Sequence, residues 1–520
     1  MHRRFHFIVK ILLVTFMYLL LRIVTTNAQE MLGIVSGNHA GVNGSLVNPA
    51  NMGYQRQFIN VNLLGGDFFL NSNYLYIHKK DYNFLRLFSV NINDPQYLYV
   101  YQYPEFQFTD SLHFVDYKKI TSLKRLYANT RILGPSLMIH YGNHAFSLIT
   151  GFRNNVSVDK LTYNTANFIF RGMDFAPQHN ITYSEGPYQV SFLSWIELGL
   201  GYAYTFLSGQ NRNVTAGATF KGLLGTGAAY GALNNTAYHV PNSDTIYFDE
   251  LNCTFGFALP TDYAGGNALT LDPLIKGTGW SVDFGINWLQ KTGRATRNAA
   301  NRKERDAQDE DYRFRAGLSM IDLGRITFDK NVQVHEFNNV TNEQWTGLRS
   351  FHTTSIQHFM RSASHNLLGD SLASLTNKSA FSVWLPTALS LQFDYNFGHS
   401  VFANMTFVQG IKLGNPAVRR ATMLSVTPRY ETPLWEVNLP LSLVDFRDPQ
   451  IGLSFRIYCF TIGTEKLGTL INLTDVRGVD LYFALGFNIS PGSNDWKYKH
   501  SDYGPCDSYE NSNRYRIKAN

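Results

Sequence analysis

The sequence predicts an all-β fold: a closed antiparallel transmembrane β-barrel of about 14 strands, with an N-terminal lumen plug and a short helical insertion. The first observation is a regular alternation of bulky apolar residues with polar or small residues over segments of barrel-strand length. The second is composition, because 14% of the 520 residues are aromatic and 41 are glycine, which suits girdles and a crowded lumen. Third, beyond the first 28 residues no apolar run approaches the roughly 20 residues of a membrane-spanning helix.

The alternation is clearest in two segments, Val479–Ile489 and Trp280–Trp288, where every second residue is large and apolar. A soluble β-sandwich also alternates. Here, however, the apolar faces are unusually bulky, and the opposite faces mix Gly, Ala and Ser with single charges, as a polar lumen requires. Aromatic residues near strand ends indicate membrane interfaces. They are Trp195, Trp280, Trp288 and Trp435.

The first 28 residues, Met1–Ala28, are predicted to be a signal peptide with a charged start and an apolar run too short to span a bilayer. The alternative is a retained membrane anchor. Cleavage after Ala28 removes four basic residues and no acidic one, so the formal net charge falls from +6 to +2. So small an excess gives no electrostatic case for nucleic-acid binding. The expected location is the bacterial outer membrane, with its lipid as the main partner.

Residues 29–56 form the predicted plug. The segment has little side-chain bulk, and Asn48-Pro49 sets a turn. Such a segment cannot build a core of its own, but it can lie in a narrow space close to other backbone. The residues expected to matter most are Gly37, Ala40, Gly41, Gly44, Asn48, Pro49 and Ala50.

Residues 57–490 form the predicted barrel. The candidate strands are Gln57–Asp67, Arg131–Tyr141, Ala145–Val158, Ser191–Leu207, Asn213–Leu224, Thr245–Phe257, Trp280–Lys291, Tyr312–Ile321, Thr387–Phe397, Ser400–Gly410, Ala421–Glu431, Leu434–Val444, Gln450–Cys459 and Val479–Ile489. At about 342–376 apolar residues recur at helical spacing, which predicts one or two short amphipathic helices as a cap over one barrel end or as a docking surface. Strand counting leaves the membrane face of this insertion open, because short turns then fall on both faces. Residues 491–520 form a polar tail.

Single charges recur on the predicted lumen faces. They are Arg153, Glu197, Lys221, Asp283, Arg315, Asp394, Arg429, Glu431, Arg456 and Asp480. Both signs are present, so pairing across the lumen is favoured over an ion-selective ring, which would carry one sign.

No motif indicates catalysis, and the protein is expected not to be an enzyme and to need no cofactor or metal. There is no GxSxG, HExxH or phosphate-binding glycine loop. His140 and Ser147 fall on neighbouring strands without a specific acid partner, and His39 suits a lumen hydrogen bond better than a metal site. The cysteines Cys253, Cys459 and Cys506 show no metal-ligand spacing. They are expected to be isolated thiols, with a Cys253–Cys506 bridge as the alternative.

The motif Asn48-Pro49-Ala50, after small residues, resembles the start of the long-chain fatty-acid transporter superfamily, whose N-terminal segment plugs the lumen. Further stretches are similar to an uncharacterised outer-membrane barrel family of Gram-negative bacteria with type IX secretion. These stretches are Gly134-Pro135-Ser136, Leu385-Pro386-Thr387, Pro428-Arg429-Tyr430-Glu431 and Asp480-Leu481-Tyr482. The resemblance implies a plugged barrel, but no established activity.

Two functions follow. The first is a plugged barrel that binds or passes a small apolar ligand, which requires an apolar site near the plug. The second is an accessory barrel that docks envelope protein partners of a machine such as type IX secretion, which requires an exposed apolar patch outside the membrane belt. The sequence does not separate them.

Overall fold

The computed structural model describes residues 30–54, 58–76, 79, 116–117, 123–171, 173, 176–292 and 312–489. The predicted signal peptide, the polar tail and Cys506 lie outside these residues. In the described part of the chain, fourteen antiparallel strands form one barrel, several of them interrupted. They are β1 (Ile59–Ser72), β2 (Lys124–Leu133 and Ser136–Tyr141), β3 (His144–Leu161), β4 (Thr182–Glu185 and Tyr188–Ser208), β5 (Arg212–Asn242), β6 (Thr245–Ala258 and Gly277–Lys291), β7 (Tyr312–Phe328 and Gln333–Trp345), β8 (Phe381–Trp384 and Ala388–Gly398), β9 (Val401–Gly410), β10 (Met423–Glu431), β11 (Trp435–Asn438 and Leu441–Val444), β12 (Asp448–Ile451 and Leu453–Ile457), β13 (Phe460–Thr464) and β14 (Asp480–Ile489).

The barrel closes because β1 pairs along its length with both β2 and β14. Ile59 lies opposite Ile489 on β14 and opposite Ile139 on β2. A closed antiparallel barrel leaves no unpaired edge and satisfies its backbone polar groups internally, as a bilayer demands. The predicted fold class is therefore confirmed. A small two-stranded sheet, Leu75–Tyr76 with Asp116–Tyr117, lies apart from the barrel sheet.

The predicted strand number is correct, although two errors offset each other. Thr245–Phe257 and Trp280–Lys291 belong to a single strand, β6, because both halves pair with β5. The strand β13, Phe460–Thr464, was missed because five residues are too few to show a convincing alternation. Each error shifts the up-and-down order by one strand, so that counting back from the last strand puts the β8–β9 and β11–β12 turns on the wrong faces.

With the order corrected, five of the seven short turns and both barrel termini share one end. Turns of two or three residues join β2 to β3, β4 to β5, β8 to β9, β10 to β11 and β12 to β13 there. Five of the six longer connections lie at the other end, with the short β5–β6 and β11–β12 turns, whereas β6 and β7 are connected at the end of the five short turns. In outer-membrane barrels short turns are periplasmic and long loops extracellular. The helical insertion therefore lies on the extracellular side.

The extracellular extension consists of the upper parts of β5, β6 and β7 with helix α3 and residues 369–376, which pair with His335 and Glu336 on β7. The described helices are α1 (Leu32–Val35), α2 (Tyr163–Arg171), α3 (Ile356–Leu368) and α4 (Leu467–Leu470), with 3-10 turns at Gly41–Leu46, Pro49–Tyr54 and Ala176–Gln178. Helix α3 begins at Ser355, whose hydroxyl accepts the His358 N–H, and ends at Gly369 in the left-handed conformation. Its buried Ala363 and Leu367 pack in one cluster with strand residues of the extension. The predicted insertion thus holds one described helix, and residues 342–345 continue β7.

The outer face of the barrel is apolar, as a lipid-facing wall requires. Exposed side chains on this face include Leu198, Leu200, Phe220, Phe284, Ile286, Phe393, Val426, Phe455 and Leu481. Trp280, Trp288 and Trp435 are also exposed, whereas the interface position predicted for Trp195 is wrong. Trp195 is fully buried beside the Arg153 guanidinium, 4.7 Å from its ring centre, since its odd position puts it on the lumen face with Glu197. Among the described residues, no helix is long and apolar enough to cross a bilayer.

The cysteines differ from expectation. Cys459 is disulfide-bonded, and Cys253 is a free, buried thiol, so neither the three isolated thiols nor a Cys253–Cys506 bridge describes the protein. Cys253 lies in the extracellular extension, where burial raises the pKa of its thiol to about 12. It therefore stays protonated and unreactive at neutral pH.

Candidate functional site

The N-terminal segment, residues 30–54, lies inside the barrel and is almost entirely buried. The backbone N–H of Leu32 donates to Glu465 beyond the extracellular end of β13, at 2.6 Å. Near its other end, Gly53 lies against Thr205 and Thr215 on the periplasmic halves of β4 and β5. The segment therefore extends along the lumen from its extracellular end to its periplasmic half. All of its predicted key residues are buried: Gly37, Ala40, Gly41, Gly44, Asn48, Pro49 and Ala50.

The Asn48-Pro49-Ala50 turn docks on a glycine patch, defined as Gly217, Gly285 and Gly317 on β5, β6 and β7. A Cβ atom at Gly217 would lie 2.6 Å from Pro49, and one at Gly285 would lie 2.0 Å from the Asn48 Oδ1. Both contacts are too close for any residue larger than glycine. The Asn48 amide donates to Gln392 at 2.9 Å and accepts from the Ala50 N–H at 2.9 Å. Motif and patch thus fit each other.

A buried charged group, the Asp394 cluster, holds the middle of the segment. It comprises Asp394 with Arg315, Arg429, Tyr312 and Glu431. Arg429 contacts both oxygens of Asp394, at 2.5 and 3.1 Å, and Arg315 lies 3.3 Å from it.

This cluster reaches the segment through Asn38, which donates its backbone and side-chain N–H groups to Glu431 at 3.0 and 3.1 Å. In return, Tyr312 and Arg315 donate to the Asn38 Oδ1, at 3.2 and 3.3 Å. The predicted lumen charges here form directional bonds to the segment as well as to one another. The His39 ring lies 3.7 Å from Glu431, a contact that is ionic only when the histidine is protonated.

A second group, the Asp322 cluster, lies higher in the lumen. Asp322 accepts from Arg153 at 2.9 and 3.0 Å, from Lys221 at 2.8 Å and from Arg420 at 3.1 Å. Its outer members are Glu197, Asp283 and Glu30: Arg153 also contacts Glu197, Lys221 contacts Asp283, and Arg420 contacts Glu30. Through Glu30 this cluster binds the beginning of the N-terminal segment.

The other two predicted lumen charges are buried as well. Arg456 pairs with Glu436 at 3.1 Å, and Asp480 accepts the Glu465 backbone N–H at 2.6 Å. Nine of the ten predicted charges therefore form ion pairs of opposite sign, and Asp480 lies among acids. Buried charges persist when paired in this way, and no ring of a single sign lines the described lumen.

Across the lumen from the Asp394 cluster lies an apolar strip on β14 and β2–β4. Its members are Leu133, Met138, Ala145, Ile149, Ala203 and Ala484. The segment covers this strip with apolar side chains of its own: Met31, Ile34, Val35, Val42, Leu46, Val47 and Met52. The middle of the segment is thus polar towards β7, β8 and β10 and apolar towards the strip, whereas Leu32 near its start packs with apolar residues of those strands.

Two small cavities lie between the segment and the barrel wall. A cavity beside Tyr54, Arg315 and Gln392 offers about 20 Å³ to water centres, and one beside Asp67 and Arg131 about 10 Å³. Each is roughly the volume that one water molecule occupies.

Sequence reasoning missed several residues that act here: Glu30, Asn38, Tyr312, Asp322, Gln392 and Arg420. Asp322 would face lipid if β7 alternated without interruption, since Ile321 before it faces inwards. A register shift between β6 and β7 at Asp283 turns Asp322 into the lumen. Arg420 lies in the connection before β10, where alternation carries no information.

Among the described residues, no hydrogen bond links His140 and Ser147, the two side chains considered for catalysis. Neither the His140 Nε2 nor the Ser147 hydroxyl has a hydrogen-bond partner there. No group of three or more His, Cys, Asp or Glu side chains in this part of the chain is arranged to hold a metal ion.

Solved structures with similar strand arrangements include the CymD monoaromatic hydrocarbon channel, at 10% identity and a TM-score of 0.30, covering 90% of this chain and 98% of that chain. The toluene transporter TodX of Pseudomonas putida has 7% sequence identity and a TM-score of 0.29, and the match covers 89% of this chain and 93% of that chain. A FadL homologue of Pseudomonas aeruginosa has 9% sequence identity and a TM-score of 0.21, and the match covers 89% of this chain and 96% of that chain. Likeness at this level says nothing about what this chain binds.

A comparison with curated proteins finds no match. A family model described as "Family of unknown function (DUF5723)" matches residues 49–465, from the Asn-Pro-Ala turn to the end of β13. Because this match spans most of the chain, the protein belongs to that family.

Proposed function

We propose that this protein is a non-enzymatic outer-membrane transporter whose N-terminal segment plugs the lumen, and that it binds or passes a small apolar ligand. The observation that carries the proposal is the apolar strip, which faces the lumen and is covered by apolar residues of the segment. An apolar lumen surface has no use in a water-filled pore, whose walls are polar.

The strip is the surface for which a ligand would compete. Burying apolar area is favourable at about 25 cal/mol per Å², whatever molecule covers it. A small apolar molecule can therefore replace the side chains of Ile34, Val42 and Leu46 on the strip. The Asp394 and Asp322 clusters hold the segment by hydrogen bonds, which water can replace when the segment moves. The proposed cycle is displacement, occupation of the strip and return.

The test is uptake of N-phenyl-1-naphthylamine, a small apolar dye, by Gram-negative cells that produce the protein. Deleting residues 35–45 should increase dye entry over wild type, because the strip is then uncovered. Adding Ile149→Asn to the deletion should lower dye entry again, with little change in entry of the anionic substrate nitrocefin. Equal effects of Ile149→Asn on both probes would contradict selection by the strip.

A second function, docking of envelope proteins such as type IX secretion components, is favoured by a separate observation. Phe359, Leu372 and Leu375 are exposed in the extracellular extension, outside the membrane belt. Exposed apolar side chains gathered in one region mark protein contacts. Co-purification from detergent-solubilised outer membranes should recover a partner with wild type and lose it with a Leu372→Asp/Leu375→Asp variant. Recovery of the same proteins with both would remove this alternative.

A further inference from the structure

An arginine on the outer wall of the barrel lies between two tryptophans. Arg325 on β7 is exposed, and in the strand register it lies directly opposite Trp280 on β6 and Trp384 on β8. Trp280 is 59% exposed, and the Arg325 guanidinium lies over the Trp384 ring, 5.6 Å from its centre. Three neighbouring strands thus present one outward row that reads Trp-Arg-Trp.

This row lies at the extracellular edge of the apolar belt. On the periplasmic side of the row, β7 turns the apolar Leu318 outwards. On the extracellular side, the next outward positions of the three strands carry hydroxyl groups, those of Thr278, Thr327 and Ser382. Tryptophan is enriched where the membrane meets water. The outer face of these strands therefore changes at Arg325 from a lipid environment to a headgroup environment.

The Arg325 guanidinium has no acidic partner in the part of the chain that the structure describes. There it forms neither a hydrogen bond nor an ion pair, and it contacts the ring of Trp384. In the lumen, by contrast, Arg153 and Arg429 each bind a carboxylate through two nitrogens. A guanidinium has five N–H donors in a fixed fork, and leaving them dry is costly. Arg325 is therefore available to an anion that the bilayer supplies.

We propose that Arg325, with Trp280 and Trp384, binds the phosphate group of an outer-leaflet lipid. A guanidinium binds phosphate through two parallel N–H···O bonds, and the attraction of an indole face for a cation holds the guanidinium in place. The acyl chains of the same lipid lie on the apolar wall, and its headgroup lies beside the row of hydroxyls. The site is outside the lumen, so it depends on neither the N-terminal segment nor a transported ligand.

The alternative is an arginine that only extends its charge into water, as basic side chains at membrane edges do. Such a residue distinguishes no lipid. Its replacement would then change the affinity for lipids with and without phosphate to the same extent.

The test is lipid titration of the full chain, purified in detergent and followed by native mass spectrometry. The probes are lipid A and lipid A from which the phosphates have been removed. Arg325→Gln should weaken the binding of lipid A about tenfold, as the loss of a charge-assisted hydrogen bond does, and leave the dephosphorylated lipid unaffected. Lys330→Gln is the matched control, because Lys330 is a cation in the connection just beyond this part of β7, with a side chain that is 60% exposed. It should bind lipid A as wild type does.

A second variant, Arg325→Lys, keeps the charge but loses the planar fork, so its affinity for lipid A should fall between those of wild type and Arg325→Gln. Heat-modifiable migration shows that each variant barrel has closed. Phosphatidylglycerol is a third probe, and dependence on Arg325 for one lipid or for both identifies the source of the phosphate. The proposal is overturned if the binding of neither lipid depends on Arg325. It is also overturned if the dephosphorylated lipid loses as much affinity, or if Lys330→Gln has the same effect as Arg325→Gln.

Discussion

Two opposite sides of the lumen hold the same segment in different ways. The side formed by β7, β8 and β10 offers the Asp394 cluster, whose hydrogen bonds to Asn38 have fixed directions. The side formed by β14 and β2–β4 offers the apolar strip, whose contacts have no preferred direction. The charged side therefore sets where the segment lies, whereas the apolar side supplies a surface on which another apolar molecule could replace it.

The largest expected effect is on the charged side. Asp394→Asn leaves Arg315 without its carboxylate and Arg429 with Glu431 alone, and breaking such a buried pair costs about 3–5 kcal/mol. Urea unfolding should show this loss as a lower transition midpoint. Asp329→Asn is the matched control, because the Asp329 side chain is 60% exposed. Equal midpoints for the two variants would mean that the cluster does not hold the barrel interior together.

The difference between the two lumen sides does not extend to the outer face of the barrel, which is apolar around its whole circumference. Leu200→Arg places a charge in the lipid belt and should cost about 2–4 kcal/mol. Leu372→Arg should cost almost nothing, although the two leucines are similarly exposed, 61% and 53%, since Leu372 lies in the extracellular extension. Folding yield into vesicles measures both variants. Similar folding yields for the two variants would mean that the lipid-facing belt does not include Leu200 or extends to Leu372.

A substitution in the segment itself tests how tightly it fits between the two sides. Gly41 has a φ of +56°, and an added Cβ would lie 2.3 Å from the Asn60 side chain, which holds the Val42 N–H. Gly41→Ala should cost about 1–2 kcal/mol from the left-handed backbone and also unseat the segment, producing leak conductance. Gly142→Ala shares the left-handed backbone, with a φ of +60°, but has nothing within 4 Å. It should cost a similar amount without any leak, and a leak from this control would make the Asn60 contact irrelevant.

The smallest effect belongs to the apolar side. Ile149→Val removes one methylene from the strip and should cost about 0.5–1.5 kcal/mol. Ile457→Val, on the lipid-facing wall with 48% exposure, should be close to neutral. Urea midpoints compare the two, and a loss at Ile457 as large as that at Ile149 would show that the strip is not packed as described.

The orientation of the wall residues could be predicted from the sequence because the two faces of each strand contact different environments, lipid on one side and the lumen on the other. In Val479–Ile489 the apolar Leu481 faces lipid, whereas Asp480 and Tyr482 face the lumen. The alternation of the two residue types is therefore visible in the sequence. The small residues of residues 29–56 similarly pointed to a confined position. The strand count was wrong at β6 and β13. In β6 the alternation is interrupted by the 18 residues 259–276, and β13 has only five residues, too few to show the alternation.

The contacts within the lumen could not be predicted in the same way. Asp322 and Arg420 reach the lumen through a register shift and a connecting segment, neither of which has a periodic signature. Asn38 and Gln392 are ordinary polar residues until the closed barrel brings them to Glu431 and Asn48. Alternation therefore identifies which wall residues face inwards, but only the folded barrel shows which of them meet.

The central claim is that the N-terminal segment closes the lumen. Ion conductance in planar bilayers tests it most directly, with the full mature protein compared with a deletion of residues 35–45, which removes Asn38 and the segment's middle. Wild type should be nearly silent and the deletion should conduct, because the segment is almost entirely buried inside the barrel and the two cavities beside it hold about one water molecule each. A wild-type protein that already conducts like an open porin would contradict the claim. A deletion as silent as wild type would show that another part of the chain blocks the lumen.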